Sequence, residues 1–155
     1  MDILNKSEDL DWDDNMIFVT IDVVGLYTCI KQEFGITAMK HFLSSRSSSY
    51  YDHSLMLCEM AKMILENNFF LFGNKWYHQV QGTAMGSRFA PSYANLFMGW
   101  FERVHAWSPS AAEWSQYVHF WGRYIDDVII IWTGMRESME NYFLYLNSNP
   151  YNVQF

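Results

Sequence analysis

Cysteine is scarce, with Cys29 and Cys58 the only two in 155 residues. They lie far apart in apolar surroundings, which points to reduced core thiols rather than a disulfide framework. Long apolar runs are also missing. The stretch Phe89 to Phe101 is interrupted by Pro91, Ser92 and Asn95, and Val128 to Trp132 is far too short to span a bilayer, so no transmembrane helix is expected. Positive charge is in deficit: ten Lys and Arg stand against seventeen Asp and Glu, for a formal net charge of −7. That balance argues against a self-sufficient nucleic-acid binder, because neutralising phosphates ordinarily takes clustered Lys and Arg. Much of the excess sits in Met1 to Asp14, with six acids and one lysine, the opposite of a basic, then apolar, secretory start. We read residues 1–14 as an acidic, flexible leader on an intracellular protein. The remaining chain holds eleven acids and nine bases, a net of −2. The five histidines are scattered without close ligand spacing, which argues against zinc.

Half the residues are apolar and 19% are aromatic, far from a disordered composition. The length suits a single core, so residues 15–155 are read as one domain. Met16 to Asp22 has the β-branched and aromatic character of a buried strand that ends on an acid. Helical patterns follow over Lys31 to Leu43 and His53 to Asn67, the second with Leu55, Met56, Met60, Met63 and Ile64 near helical period. Phe69 to Val80 reads as an aromatic hairpin around a Gly73-Asn74 turn. A loop, Gln81 to Gly86, leads into a helix over Pro91 to His105. A second hairpin pairs Tyr117 to Tyr124 with Val128 to Trp132, placing Ile125-Asp126-Asp127 at its tip. Glu137 to Leu146 reads as a helix and Asn152 to Phe155 as a strand cut short. The biased stretch Ser44 to Ser49 reads as solvated and mobile. Trp100, Trp107, Trp114 and Trp121 recur at intervals of seven, but Ser108-Pro109 breaks any helix through them, so no heptad seam is expected. The order of elements predicts an α+β fold, helices layered on an antiparallel sheet.

The chemistry concentrates at the acids. Asp126 and Asp127 repel each other, and Asp is a poor strand former, yet both flank strongly strand-forming segments. Divalent cations resolve that conflict: Mg²⁺ favours carboxylate and water oxygens, and an ion pair about 3.5–4 Å apart can clamp the attacking and leaving oxygens of an in-line displacement. The competing reading of Asp-Asp alone is an ordinary turn. Asp22, ending another apolar strand, and the glycine-punctuated loop that begins at Gln81-Gly82 favour the phosphoryl-transfer reading.

Three blocks in order resemble reverse transcriptases, most closely those of Penelope-like retroelements. They are Thr20-Ile-Asp22-Val-Val-Gly25-Leu-Tyr27-Thr28, Gln81-Gly82-Thr83-Ala84-Met85-Gly86-Ser87-Arg88 continuing to Leu96, and Arg123-Tyr124-Ile125-Asp126-Asp127-Val128. The resemblance implies a polymerase palm, an antiparallel sheet with helices packed on one face, lacking complete fingers and thumb. It implies an RNA-directed DNA polymerase that uses two Mg²⁺ ions, or Mn²⁺ in their place, to extend a DNA primer with dNTP on an RNA template. Asp22, Asp126 and Asp127 would be the catalytic and metal residues. Val23, Tyr27, Gln81 and Gly82 would contact the nucleotide, Tyr27 lying under the incoming sugar, and Arg88 would contact template or primer. A nuclear or cytoplasmic location follows.

Departures from the family pattern are Cys29-Ile30-Lys31 after the first block, the acidic leader where basic fingers motifs are expected, and an end at Phe155 ahead of the primer grip and thumb. We therefore expect a fragment whose missing fingers and thumb belong to other segments or to a longer parent polyprotein. Structural readings compete residue by residue: Tyr27 as a core tyrosine, Gln81-Gly82 as a turn, Arg88 as a surface charge, Arg123 as a strand-edge charge. The alternatives for the whole chain are an RNA-directed RNA polymerase palm and an inactive retroelement-derived remnant that only binds partners.

Overall fold

A computed structural model describes residues 13–44 and 51–155. Most of the leader and of the serine-rich stretch falls outside the described residues. The elements run β1 (Ile17–Asp22), α1 (Leu26–Cys29), α2 (Gln32–Ser44), α3 (Tyr51–Glu66), β2 (Phe69–Phe72), β3 (Lys75–His78) and α4 (Ala90–Phe101). A π-helical turn (Glu102–Ala106) extends α4, and a 3-10 turn (Pro109–Ala111) leads into α5 (Ala112–Ser115), β4 (Val118–Tyr124), β5 (Asp127–Trp132) and α6 (Arg136–Asn147). No described helix is long and apolar enough to cross a membrane.

Two antiparallel sheets form, a three-stranded one in the order β1-β5-β4 and the two-stranded hairpin β2-β3. The central strand β5 is the run Val128-Ile-Ile-Ile131, whose β-branched side chains suit a pleated, buried surface. Its alternation sorts the sheet into two faces. Trp132, Ile130 and Val128 are buried, and their register partners Ile17, Val19, Val118 and Trp121 share that face. It lies against Ala106, Ala111, Met139, Tyr142 and Leu146. Phe18, Thr20 and Asp22 mark the opposite face of β1 and are exposed.

The larger core surrounds α4, whose buried Ala90, Tyr93, Ala94, Phe97, Met98 and Phe101 follow the helical i, i+3, i+4 repeat. Pro91 sits in the first turn, where its missing N–H costs nothing. Helix α2 packs on α4 closely enough that a Cβ on Gly35 would run into the Tyr93 ring. The Cys58 thiol is buried in this core and Cys29 is half-buried, with burial pushing the Cys29 thiol up to about 11.

One sequence expectation is corrected, and a choice of face that the helical period left open is decided. In α3 the face turned inward is Ser54, Cys58, Ala61 and Leu65, while Leu55, Met56, Met60, Met63 and Ile64 are exposed. Both sets have helical period, and the smaller side chains let α3 approach α2. Residues 152–155 are not a strand, for Asn152 has φ 66° and the Gln154 carbonyl accepts the N–H of Val24, 2.8 Å, a residue beyond the end of β1. The four tryptophans form no seam: Trp100 lies in the α4 core, Trp107 and Trp121 meet edge to face at 5.6 Å, and Trp114 packs on Tyr145.

Candidate active site

The last register pair between β1 and β5 is Asp22 with Asp127. Residues directly opposite in an antiparallel pair project to the same side, so both acids emerge together on the open face. Asp126, half-buried, precedes Asp127 in the turn, and its carbonyl accepts the Val23 N–H at 3.2 Å. The first and third blocks of the sequence are thus joined through their backbones at the acids. The Val23 side chain itself lies in the core.

The connection between β4 and β5 is tight. Tyr124 pairs with Asp127, leaving Ile125 and Asp126 as a two-residue loop. Ile125 has φ 57° and Asp126 has no positive φ, the sign pattern of a type II′ turn, which ordinarily has glycine at its first position. A β-branched residue there is strained, by roughly 1–3 kcal/mol. The Ile125 side chain packs on the main core, and its carbonyl accepts a bond from Arg123 Nη1 at 3.0 Å.

The second block is seated on the first. The Gly82 N–H donates to the Ile30 carbonyl at 2.9 Å and the Thr83 N–H to the Tyr27 carbonyl at 2.7 Å. Gln81 Nε2 donates to the carbonyls of Thr28 and Cys29 at 3.1 and 3.3 Å, satisfying groups left open at the end of α1. Gly82 has φ 75°, and a Cβ there would overlap the Tyr27 carbonyl and lie 2.7 Å from Thr28 Cα. Glycine is therefore required by the docking itself. Tyr27 is half-buried against the core, and Arg88 is exposed just before α4.

The backbone gathers the three aspartates, but among the described residues no three His, Cys, Asp or Glu side chains stand close enough to hold a metal ion. Among the described residues the ion pairs lie elsewhere, Lys62 with Glu66 and Arg123 with Glu102. Sequence reasoning gave Arg123 no role, yet its side chain bonds Glu102, Asn95 and the Ile125 carbonyl. The one sequence signal was its place in the block, three residues before Asp126.

Taken together, these elements define a reverse-transcriptase-like fold. A solved structure with that likeness is an apo telomerase from Candida tropicalis truncated from its C-terminal domain, with a TM-score of 0.63 at 13% identity. The match covers 97% of this chain and 31% of the telomerase chain, and at that identity the likeness is one of fold. No protein-family model and no curated protein matches the sequence.

Proposed function

We propose that this chain is the palm of an RNA-directed DNA polymerase of the Penelope-like kind, acting in the nucleus or cytoplasm within a longer polymerase that supplies fingers and thumb. The observation that carries the reading is the pairing of Asp22 with Asp127 beside the Val23–Asp126 backbone bond, with the Gln81–Thr83 loop docked on the same segment. Asp22 and Asp126 are the ligands for two Mg²⁺ ions, or Mn²⁺, and Asp127 supports them electrostatically. Bound there, the ions would lower the pKa of a primer 3′-hydroxyl and neutralise triphosphate charge. The chain's own contribution is positioning: the strained turn fixes where Asp126 sits, and the docked loop fixes Tyr27, which lies beneath the incoming sugar. Arg88, exposed ahead of α4, faces template or primer phosphate.

The test is primer extension on an RNA template with Mg²⁺ or Mn²⁺, comparing the chain with Asp126→Asn, alongside Mn²⁺ binding by the same two proteins. The chain alone should extend primer poorly, if at all, and the expected result is that Asp126→Asn loses Mn²⁺ affinity together with whatever dideoxy-sensitive incorporation the chain shows. Incorporation that survives the substitution, or a chain that neither extends primer nor loses Mn²⁺ affinity on substitution, removes the reading.

A further inference from the structure

We infer that the β2–β3 hairpin is a docking surface for a second copy of this chain, in which the two β2 strands pair antiparallel about a two-fold axis and complete a four-stranded sheet. The inference is independent of the polymerase reading.

Two strands alone are marginal in water, and stability ordinarily takes a third strand or a helix packed against one face. Here β2 and β3 pair without a bulge from Phe69–His78 to Phe72–Lys75, and all eight residues are exposed. The hairpin is tied down at its base, where the Gln79 N–H donates to the Asn68 carbonyl and His78 Nε2 to the Glu66 carbonyl, both at 2.8 Å. Phe69, Phe70, Phe72, Trp76 and Tyr77 are each 44–74% exposed. An aromatic side chain carries about 150–250 Å², so these five leave roughly 600 Å² open, as large as the largest patch on an ordinary monomer. Two copies together offer at most about 1,200 Å², where specific interfaces begin, so the dimer is weak and concentration-dependent.

The open edge selects the occupant. Each strand of the hairpin has one neighbour, and proteins guard such edges with lysine, proline or a bulge. β3 carries Lys75, whereas β2, Phe69-Phe-Leu-Phe72, has none of these devices. Among the described residues no backbone bond other than the ladder to β3 reaches β2. An uncharged apolar strand is complementary to itself. With the two-fold axis at Leu71, that residue faces its own copy and Phe70 lies opposite Phe72 of the second copy, an aromatic pair on one face of the sheet. Nucleic acid fits less well, because platforms that stack bases lie in positively charged grooves, and from Asn68 to Gln81 the one formal charge is Lys75.

The experiment follows the mass of the chain by sedimentation equilibrium from low to high micromolar concentration, with thermal unfolding at the low end as a control for folding. A monomer–dimer equilibrium that stops at two copies is expected. Leu71→Lys sets two like charges face to face at the two-fold axis and should weaken the dimer by more than about tenfold, while Trp76→Lys, on the outer strand, should cost less than about threefold. Two chains of formal net charge −7 repel, so added salt should hold or tighten the dimer. Residues directly opposed across antiparallel strands lie about 4.5–5.5 Å apart, within disulfide reach, so Leu71→Cys should cross-link to its own copy under mild oxidation. Trp76→Cys should not, and neither should the parent chain, with Cys29 half-buried and Cys58 buried. Should Leu71→Lys fail to fold, the cross-link carries the test. A chain that stays monomeric at every concentration assigns the patch to a different partner and overturns the inference. Growth beyond two copies, dissociation in salt, equal losses with the two lysines or equal cross-linking at the two positions also overturn it.

Discussion

Two strand systems of similar apolar content meet opposite fates in this molecule. In the three-stranded sheet, Ile130 and Trp132 of β5 have no exposure at all. In the β2–β3 hairpin all eight residues are exposed, Phe72 at 74% and Trp76 at 71%. The hairpin residues pack chiefly on one another, Phe69 with His78 at 4.8 Å between ring centroids and Phe70 with Tyr77 at 5.7 Å. β5 has strands on both edges and helical segments on one face, whereas β2 and β3 have each other. Burial is thus set by topology, and hydrophobic character alone does not reveal it. The acids emerge from the system that is anchored, where a fixed geometry is available.

The sharpest way to break that contrast is to delete matching side chains from the two systems. Ile130→Ala removes a fully buried side chain from the central strand and should destabilise the chain by about 3–4 kcal/mol. Leu71→Ala, in the hairpin, should change stability by no more than about 0.5 kcal/mol. Chemical denaturation of the two variants measures both, and similar losses would mean the hairpin is as firmly packed as the sheet.

Glycines sharpen the comparison at the level of backbone. Gly82 and Gly73 both have positive φ, 75° and 60°, but a Cβ on Gly73 meets nothing within 4 Å, whereas on Gly82 it collides with the backbone of Tyr27 and Thr28. Gly82→Ala should therefore combine conformational strain with overpacking, about 3 kcal/mol together, which corresponds to a melting temperature lower by roughly 6–12 °C. Gly73→Ala carries the strain alone, about 1 kcal/mol. A thermal melt of each distinguishes a docked loop from a free turn.

Much of this architecture was legible in the sequence because local signals agreed with the tertiary result. Strand β1, the Gly73-Asn74 turn, helix α4 and the hairpin tip at Ile125-Asp126 all follow from periodicity and turn chemistry. What was not legible depended on contacts between distant segments. The choice of inward face on α3 is one such case, since a set of small residues and a set of large ones share the helical repeat, and the approach of α2 decides between them. The contacts of the Gln81 amide are another, made to the Thr28 and Cys29 carbonyls 53 and 52 residues earlier in the chain. Arg123 is the clearest, because its partner Glu102 is 21 residues away and reaches it through the π-helical turn, for which the sequence carries no signature. The aspartates were identified by their residue types, but their adjacency is a property of strand register, which places Asp22 opposite Asp127.

The smallest expected effect on stability lies at the tip of the exposed hairpin. Phe72 and Trp76 are about three-quarters exposed, and neither side chain belongs to the buried cores. Replacing both with serine removes little packing, so the melting temperature should move by no more than about 2 °C, as for surface positions outside capped, strained or buried sites. The surface, by contrast, should change markedly, because contiguous exposed apolar area binds hydrophobic dyes and promotes self-association. Phe72→Ser with Trp76→Ser should lower anilinonaphthalene-sulfonate fluorescence and shift light scattering towards smaller species at unchanged melting temperature. If the double substitution instead lowers the melting temperature by as much as Ile130→Ala, the hairpin is part of the cooperative core and the contrast between the two strand systems fails.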